Sequence, residues 1–444
     1  MSIEDLGFPD GLRLLARWQA GEPGARGRLA GAFTAGLSGD HDVALAGPAP
    51  DDAVHVCGSI DLLSLGIVFD LFGLTAEELY KGDPERYVRS VMVTLRLLGM
   101  PKSYLSWPVY GFTAEALGQE MIYSDRFSPG TDPEVTLVDA GNWRDLPPLD
   151  LAGEIPALLD ETLAFYRGLT GFRPVLHLSA PYSLAADIFG QEHLINALTE
   201  DPAFVNGFLD HLADTVHRPW AEHFFAQHPD GWLELSDASG SPFFIGPGNC
   251  SNVAIRSAQR LIAENPWGER VYVANYRGDY VTRAKQRGGS PGRRRRPKGE
   301  GAGSVTLDDL FDLKNSVCRD YVIRLADDCI PVDFYVEKAI ERKIPLFTGI
   351  GATQIDRNSV VDLETAVVEI KELTRDYVDA IGTVARSIAV GGYDSRVPPW
   401  PGTVYFEDVS AESSFELIEA IVGTVLAEGT FQKDKEGSGQ PDQP

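Results

Sequence analysis

His55-Val-Cys57-Gly58 sets an imidazole and a thiol two residues apart. In a strand that spacing puts both side chains on one face. Both are good zinc ligands, and a zinc-bound thiol gives up its proton. Two ligands leave such a site incomplete, because three protein ligands and one open position are usual. A buried cysteine beside a hydrogen-bonded core histidine is the alternative. Asp237 closes the apolar run Trp232-Leu-Glu-Leu-Ser just before a glycine-containing loop. A carboxyl there could accept from a substrate N–H, serve as acid or base where burial raises its pKa, or cap the next turn. Asn275, Asp333, Gln354, Asp356 and Asp394 also fall at or just beyond predicted strand ends. Asn275 and Asp333 join Asp237 as catalytic candidates. Gln354, Asp356, Tyr393, Asp394, Arg396 and His177 are the substrate-binding candidates. Arg396 could hold a carboxylate or pair with Asp394. His177 lies inside an apolar strand, where a satisfied core histidine is the simpler reading. His211, His217, His223 and His228 form no i, i+4 pair and read as solvated or packed helix residues. Cys250 lies in a loop, with nothing nearby in sequence to lower its pKa.

Elements that would position these residues follow from periodicity. Short apolar runs bounded by Gly, Pro, Asp or Ser predict strands at Val54–Cys57, Tyr104–Val109, Val175–Ser179, Trp232–Ser236, Val271–Asn275, Ile330–Phe334, Leu346–Gly349 and Ser387–Val390. Between them the period changes to 3.6. The clearest helix has Phe204, Phe208, Leu212, Val216, Trp220 and Phe224 in an i+4 row, opened by Asp201-Pro202. A second buries Leu363, Val367, Ile370 and Tyr377, and a last one Phe415, Ile418, Ile421, Val422 and Leu426. Parallel strands need crossover helices, so eight strands alternating with helices predict a single (β/α)8 TIM-type barrel of class α/β. A doubly wound open sheet is the runner-up, and no glycine-rich phosphate loop supports it. The alternation on Leu233, Leu235 and Asp237 is read as the barrel's inner face. The barrel spans residues 51–430, after an amino-terminal extension over 1–50. A basic loop at 283–303, with four consecutive arginines at 293–296, reads as a disordered insertion, and 431–444 as a disordered tail.

Several segments resemble the uroporphyrinogen decarboxylase superfamily. Pro174-Val-Leu-His-Leu-Ser-Ala-Pro-Tyr-Ser-Leu-Ala185 is similar to that family's turn after the third strand. Leu198-Thr-Glu-Asp-Pro-Ala-Phe-Val205 resembles its "DP..V" helix entry, and Trp232 to Asp237 its fourth strand, which ends in an Asp. Ala114-Glu-Ala-Leu-Gly118 resembles the segment after the second strand, and Phe347 to Asp356 the "GN.DP" seventh strand. Leu14 to Pro23, and Phe72 to Tyr80 followed by Asp83-Pro84, are most similar to the methyltransferase-like branch. The resemblance implies a barrel with its site at the carboxyl ends of the strands. The chain departs from a typical uroporphyrinogen decarboxylase. Arg17-Trp-Gln-Ala-Gly21 lacks the second arginine of the family motif, and Val109 stands where that family has an Asp. The zinc branch carries His-x-Cys at the fifth strand, where this chain reads Val271-Tyr-Val-Ala-Asn275.

Composition narrows the remaining classes. The 444 residues carry a formal net charge of −26, which repels phosphate backbones and anionic lipid. Four cysteines are too few for a secreted disulfide framework, and the chain opens on acids where a signal peptide has bases. The expectation is a cytoplasmic protein with no nucleic-acid or membrane partner and no nucleotide cofactor. Three functions follow. The first is transfer of a methyl or one-carbon group involving a small molecule or corrinoid. The second is decarboxylation of a pyrrole, porphyrinogen or aromatic acid. The third is a non-catalytic barrel that binds a tetrapyrrole, a corrinoid or a partner. Zinc or a corrinoid is the candidate cofactor, and a corrinoid protein or a second copy of the chain the candidate partner.

Overall fold

The computed structural model describes residues 6–39, 53–101, 105–107, 109–125, 127–132, 134–274, 307–317, 322–325, 330–388 and 402–430. Within them the chain is a mixed helix and strand protein with parallel sheets. Strands β1 (His55–Gly58), β4 (Val175–Ser179), β5 (Trp232–Ser236), β6 (Val271–Ala274) and β8 (Leu346–Ile350) form where apolar runs meet turn residues. Strands β7 (Val322–Leu325) and β9 (Thr403–Phe406) complete the parallel set, and a two-residue pair, Met121–Ile122 with Gly130–Thr131, supplies β2 and β3. One sheet runs β1-β9-β8-β7 and the other β4-β5-β6. The first strand pairs with the last, in parallel, with Cys57 opposite Tyr405.

Three predicted strands are not formed among the described residues. Leu105–Trp107 carries no strand pairing, and Val109–Glu115 is a helix. Ile330–Phe334 gives way to the helix Val332–Arg342. There Val332, Tyr335, Val336, Ala339 and Ile340 repeat with helical period, and that stripe packs on the core. The strand lies earlier, in β7. Ser387 ends a 25-residue helix, Leu363–Ser387, rather than opening a strand, and the pairing passes to β9. That helix leaves Leu363 exposed while burying Ile370 and Tyr377, and Leu426 of the last helix, Phe415–Glu428, is exposed too.

The i+4 row forms as read. Pro202–Leu212 is helical, capped by the Asp201 carboxylate, which accepts from Phe204 N at 3.0 Å. Residues four apart drift by about 40° per step on a regular helix. A π turn at Ala213–His217 absorbs part of that drift, so Phe208, Leu212, Val216, Trp220 and Phe224 are all buried. The helix continues through Arg218–Gln227. Residues 6–39 form two helices, Asp10–Gln19 and Ala25–Leu37, which bury Leu12, Leu15, Leu29 and Phe33 against Pro84–Leu98 and Phe415–Glu428.

Apolar side chains divide into two clusters. The large one joins the helices to Val56, Leu176, Leu178, Leu233, Leu235, Val273, Leu346, Val404 and Phe406. The small one gathers the alternate positions: Cys57, Phe347 and Tyr405 from one sheet, and Val175, Trp232, Tyr272 and Ala274 from the other. The two sheets therefore face each other across the small cluster, with helices on their outer faces. No helix among the described residues is long and apolar enough to cross a membrane.

Candidate active site between the sheets

The inner face carries polar groups. Parallel register sets His177 beside Glu234 and Glu234 beside Tyr272. All three are buried. Tyr272 Oη donates to Glu234 Oε2 at 2.6 Å, and His177 Nδ1 lies 3.4 Å from Glu234 Oε1. The His177 ring meets Trp107 edge-on, with centroids 5.3 Å apart, and Trp107 Nε1 donates to the His177 carbonyl at 3.3 Å. Tyr405 brings the opposite sheet into the group. Burial, with Asp408, Glu234, Cys57 and Glu407 around it, holds its hydroxyl firmly protonated. A buried carboxylate is costly unless donors satisfy it, and here a phenol and an imidazole are at hand. Removing the phenol should show this. Tyr272→Phe is expected to cost about 1.5–3 kcal/mol in urea unfolding, the range for a bond to a charged group.

His55 and Cys57 are both buried on β1, and Cys57 belongs to the inner cluster. Among the described residues no three of His, Cys, Asp and Glu converge to hold a metal ion. Asp237 stands on the other side of its strand from Glu234. Leu233 and Leu235 pack outward into the helical core, so the expected inner row of 233, 235 and 237 is corrected to 232, 234 and 236. Both faces of this strand are buried, and an apolar face belongs against apolar helices. Asp237 is fully buried, and Ser183 Oγ of the helix Pro181–Phe189 donates to its Oδ1 at 2.9 Å. The following loop folds over it so closely that a Cβ on Gly240 would lie 2.6 Å from Oδ2. The Cys250 thiol is pushed up by burial and by Asp237, which keeps it protonated at neutral pH.

Other candidates stand apart from this group. Asp333 is exposed in the first turn of the helix Val332–Arg342, not at a strand end. Gln354 Oε1 accepts from Gly351 N at 2.9 Å, closing the short turn after β8. Asp356 accepts from Asn358 N at 2.9 Å and bridges to Ser413. Asn275, Tyr393, Asp394 and Arg396 lie outside the described residues, as do the basic loop and the carboxyl-terminal tail. His223 pairs with Asp160 at 2.6 Å, whereas His217 is fully buried with both ring nitrogens on backbone carbonyls.

Glu234 and Tyr272 were missed in the sequence because their strands read as apolar. The available signal was parity: in Trp232-Leu-Glu-Leu-Ser the polar residues share one face and the leucines the other. Asp61 was missed as well. It is the first acid after β1, and it lies buried beside the carboxyl end of that strand.

No protein-family model and no curated protein matches the chain. A solved structure does. The chain is similar to a methyltransferase from Methanosarcina mazei, with a TM-score of 0.56 and 13% identity over 88% of this chain and 96% of that one. The likeness is one of fold.

Proposed function

We propose that this protein is a (β/α)8 barrel enzyme of the uroporphyrinogen decarboxylase superfamily, on its methyltransferase-like side, and that it moves a methyl or other one-carbon group between a small molecule and a nucleophile such as a corrinoid. The supporting observation is the inner face itself. A barrel interior is ordinarily filled by bulky branched side chains. Here it holds Cys57, His177, Glu234, Tyr272 and Tyr405 in a fold that matches a methyltransferase along most of both chains. Methyl transfer needs a nucleophile freed of its proton and held in line, away from water. Glu234, oriented by Tyr272, is the group that would take or place such a proton.

The test uses methylcobalamin as methyl donor and a small thiol as acceptor. Demethylation followed by visible absorbance is expected above the rate without protein. Glu234→Gln is expected to lower that rate by about 100-fold or more, the ordinary worth of an acid–base group. Absence of any protein-dependent demethylation across a panel of thiols and alcohols would tell against this function.

A further inference from the structure

A second concavity lies away from the inner face. It holds about 750 Å³, between the segment 136–144 and the helices Gln191–Glu200 and Pro202–Leu212. That is the size of a small-molecule site. At about 1.5 Å per residue, Phe204 stands about 20 Å along the helical run from His217, which is fastened to the carboxyl end of β4. The walls are aromatic. Trp143 and Phe189 are buried and Phe204 is half-buried. Trp143 meets Phe204 edge-on, with centroids 6.0 Å apart, and Phe204 stacks on Phe208 at 5.9 Å. These contacts fix the rings before any ligand arrives. The rim is acidic, with Asp139, Glu200 and Asp201 all exposed on it. Backbone donors hold two of them in place: Gly141 N gives to Asp139 Oδ1 at 2.7 Å, and Phe204 N to Asp201 Oδ1 at 3.0 Å. None of the three forms an ion pair among the described residues. Arg144 lines the same cavity, and its guanidinium sits over the Trp143 ring, 4.0 Å from the centroid. It has no ion pair among the described residues either. A planar, delocalised cation therefore already occupies the indole, held by the ring rather than by a carboxylate.

We propose that this cavity is an accessory binding site for a planar aromatic cation, seated against the aromatic walls and under the three carboxylates. Its chemistry is that of the Arg144–Trp143 pair, carried over to a ligand. A ring system with a delocalised positive charge takes the place of the guanidinium on Trp143, and Arg144 turns out to solvent. The aromatic faces pack a neutral ring as well as a charged one, but their quadrupoles attract only the charge. The carboxylates add to that preference. An anionic ligand meets three like charges against one guanidinium, on a chain whose formal net charge is −26. Binding here needs no residue of the inner face.

Equilibrium dialysis of the full chain against N-methylquinolinium tests the site, with uncharged quinoline as the comparison. Saturable binding of the cation is expected, about tenfold tighter than that of quinoline, as a charge over an aromatic face beside carboxylates should give. Arg144→Ala is expected to tighten cation binding by about threefold or more, because the competing guanidinium is gone. Glu200→Lys should weaken it by about tenfold and leave quinoline binding unchanged. Both side chains are exposed, so neither change should disturb folding. No saturable binding of the cation to wild type below about 1 mM would overturn the proposal. So would equal affinity for quinoline, weaker cation binding in Arg144→Ala, or an affinity unmoved by Glu200→Lys.

Discussion

Asp61→Asn is expected to make the protein more stable than wild type at neutral and alkaline pH. In the folded chain the Asp61 carboxyl is raised from 3.8 to about 7, mainly by burial. Between those values the folded state holds a proton that the unfolded state has released. Stability therefore falls as pH rises through this window, is full below 3.8, and is lost once pH passes about 7. Three pH units at about 1.4 kcal/mol each put the whole effect on the order of 4 kcal/mol. Asparagine is close in shape to the protonated acid and does not titrate. The stability gap between the variants should widen from pH 4 to pH 7 and then level off, as read by urea unfolding at each pH. A gap that stays constant over pH 5 to 8 would show a carboxyl that titrates like a solvated one.

His217→Ala is expected to be among the most damaging single changes. The ring is fully buried in the π turn, with Nε2 2.7 Å from the Ser179 carbonyl and Nδ1 3.0 Å from the Leu212 carbonyl. It thus fastens the long helical run to the carboxyl end of β4. Truncation leaves a cavity and strips a buried carbonyl of its donor, for a combined cost of about 3–5 kcal/mol. His217→Phe should recover the packing share only. Burial also lowers the pKa of this imidazole, despite both carbonyls. Its contribution is therefore complete above the usual histidine value and is lost as pH falls toward the lowered one. In urea unfolding at pH 8, a loss below about 1 kcal/mol would mean that the Ser179 carbonyl finds another donor.

Local chemistry made part of this molecule legible from residues alone. β1, β4, β5, β6 and β8, the capped helix from Pro202 and its buried i+4 row need only short-range signals: apolar runs between turn residues, a cap, a repeat. The same signals failed at Val332–Arg342, where one segment reads as a short apolar run at its start and as a helical stripe over its length. They also could not choose a face for β5. Both of its faces are buried, so alternation allowed either Asp237 or Glu234 to point inward, and only the pairing with Tyr272 and the opposite sheet decided for Glu234. Asp61 shows the same limit. Nothing next to it in the chain raises its pKa; burial does, with help from Asp408 and against the pull of Tyr87 and Ser106, all brought together by tertiary packing. Secondary structure answers to neighbours in sequence, whereas the charge state of a buried group answers to neighbours in space, and only the fold determines those.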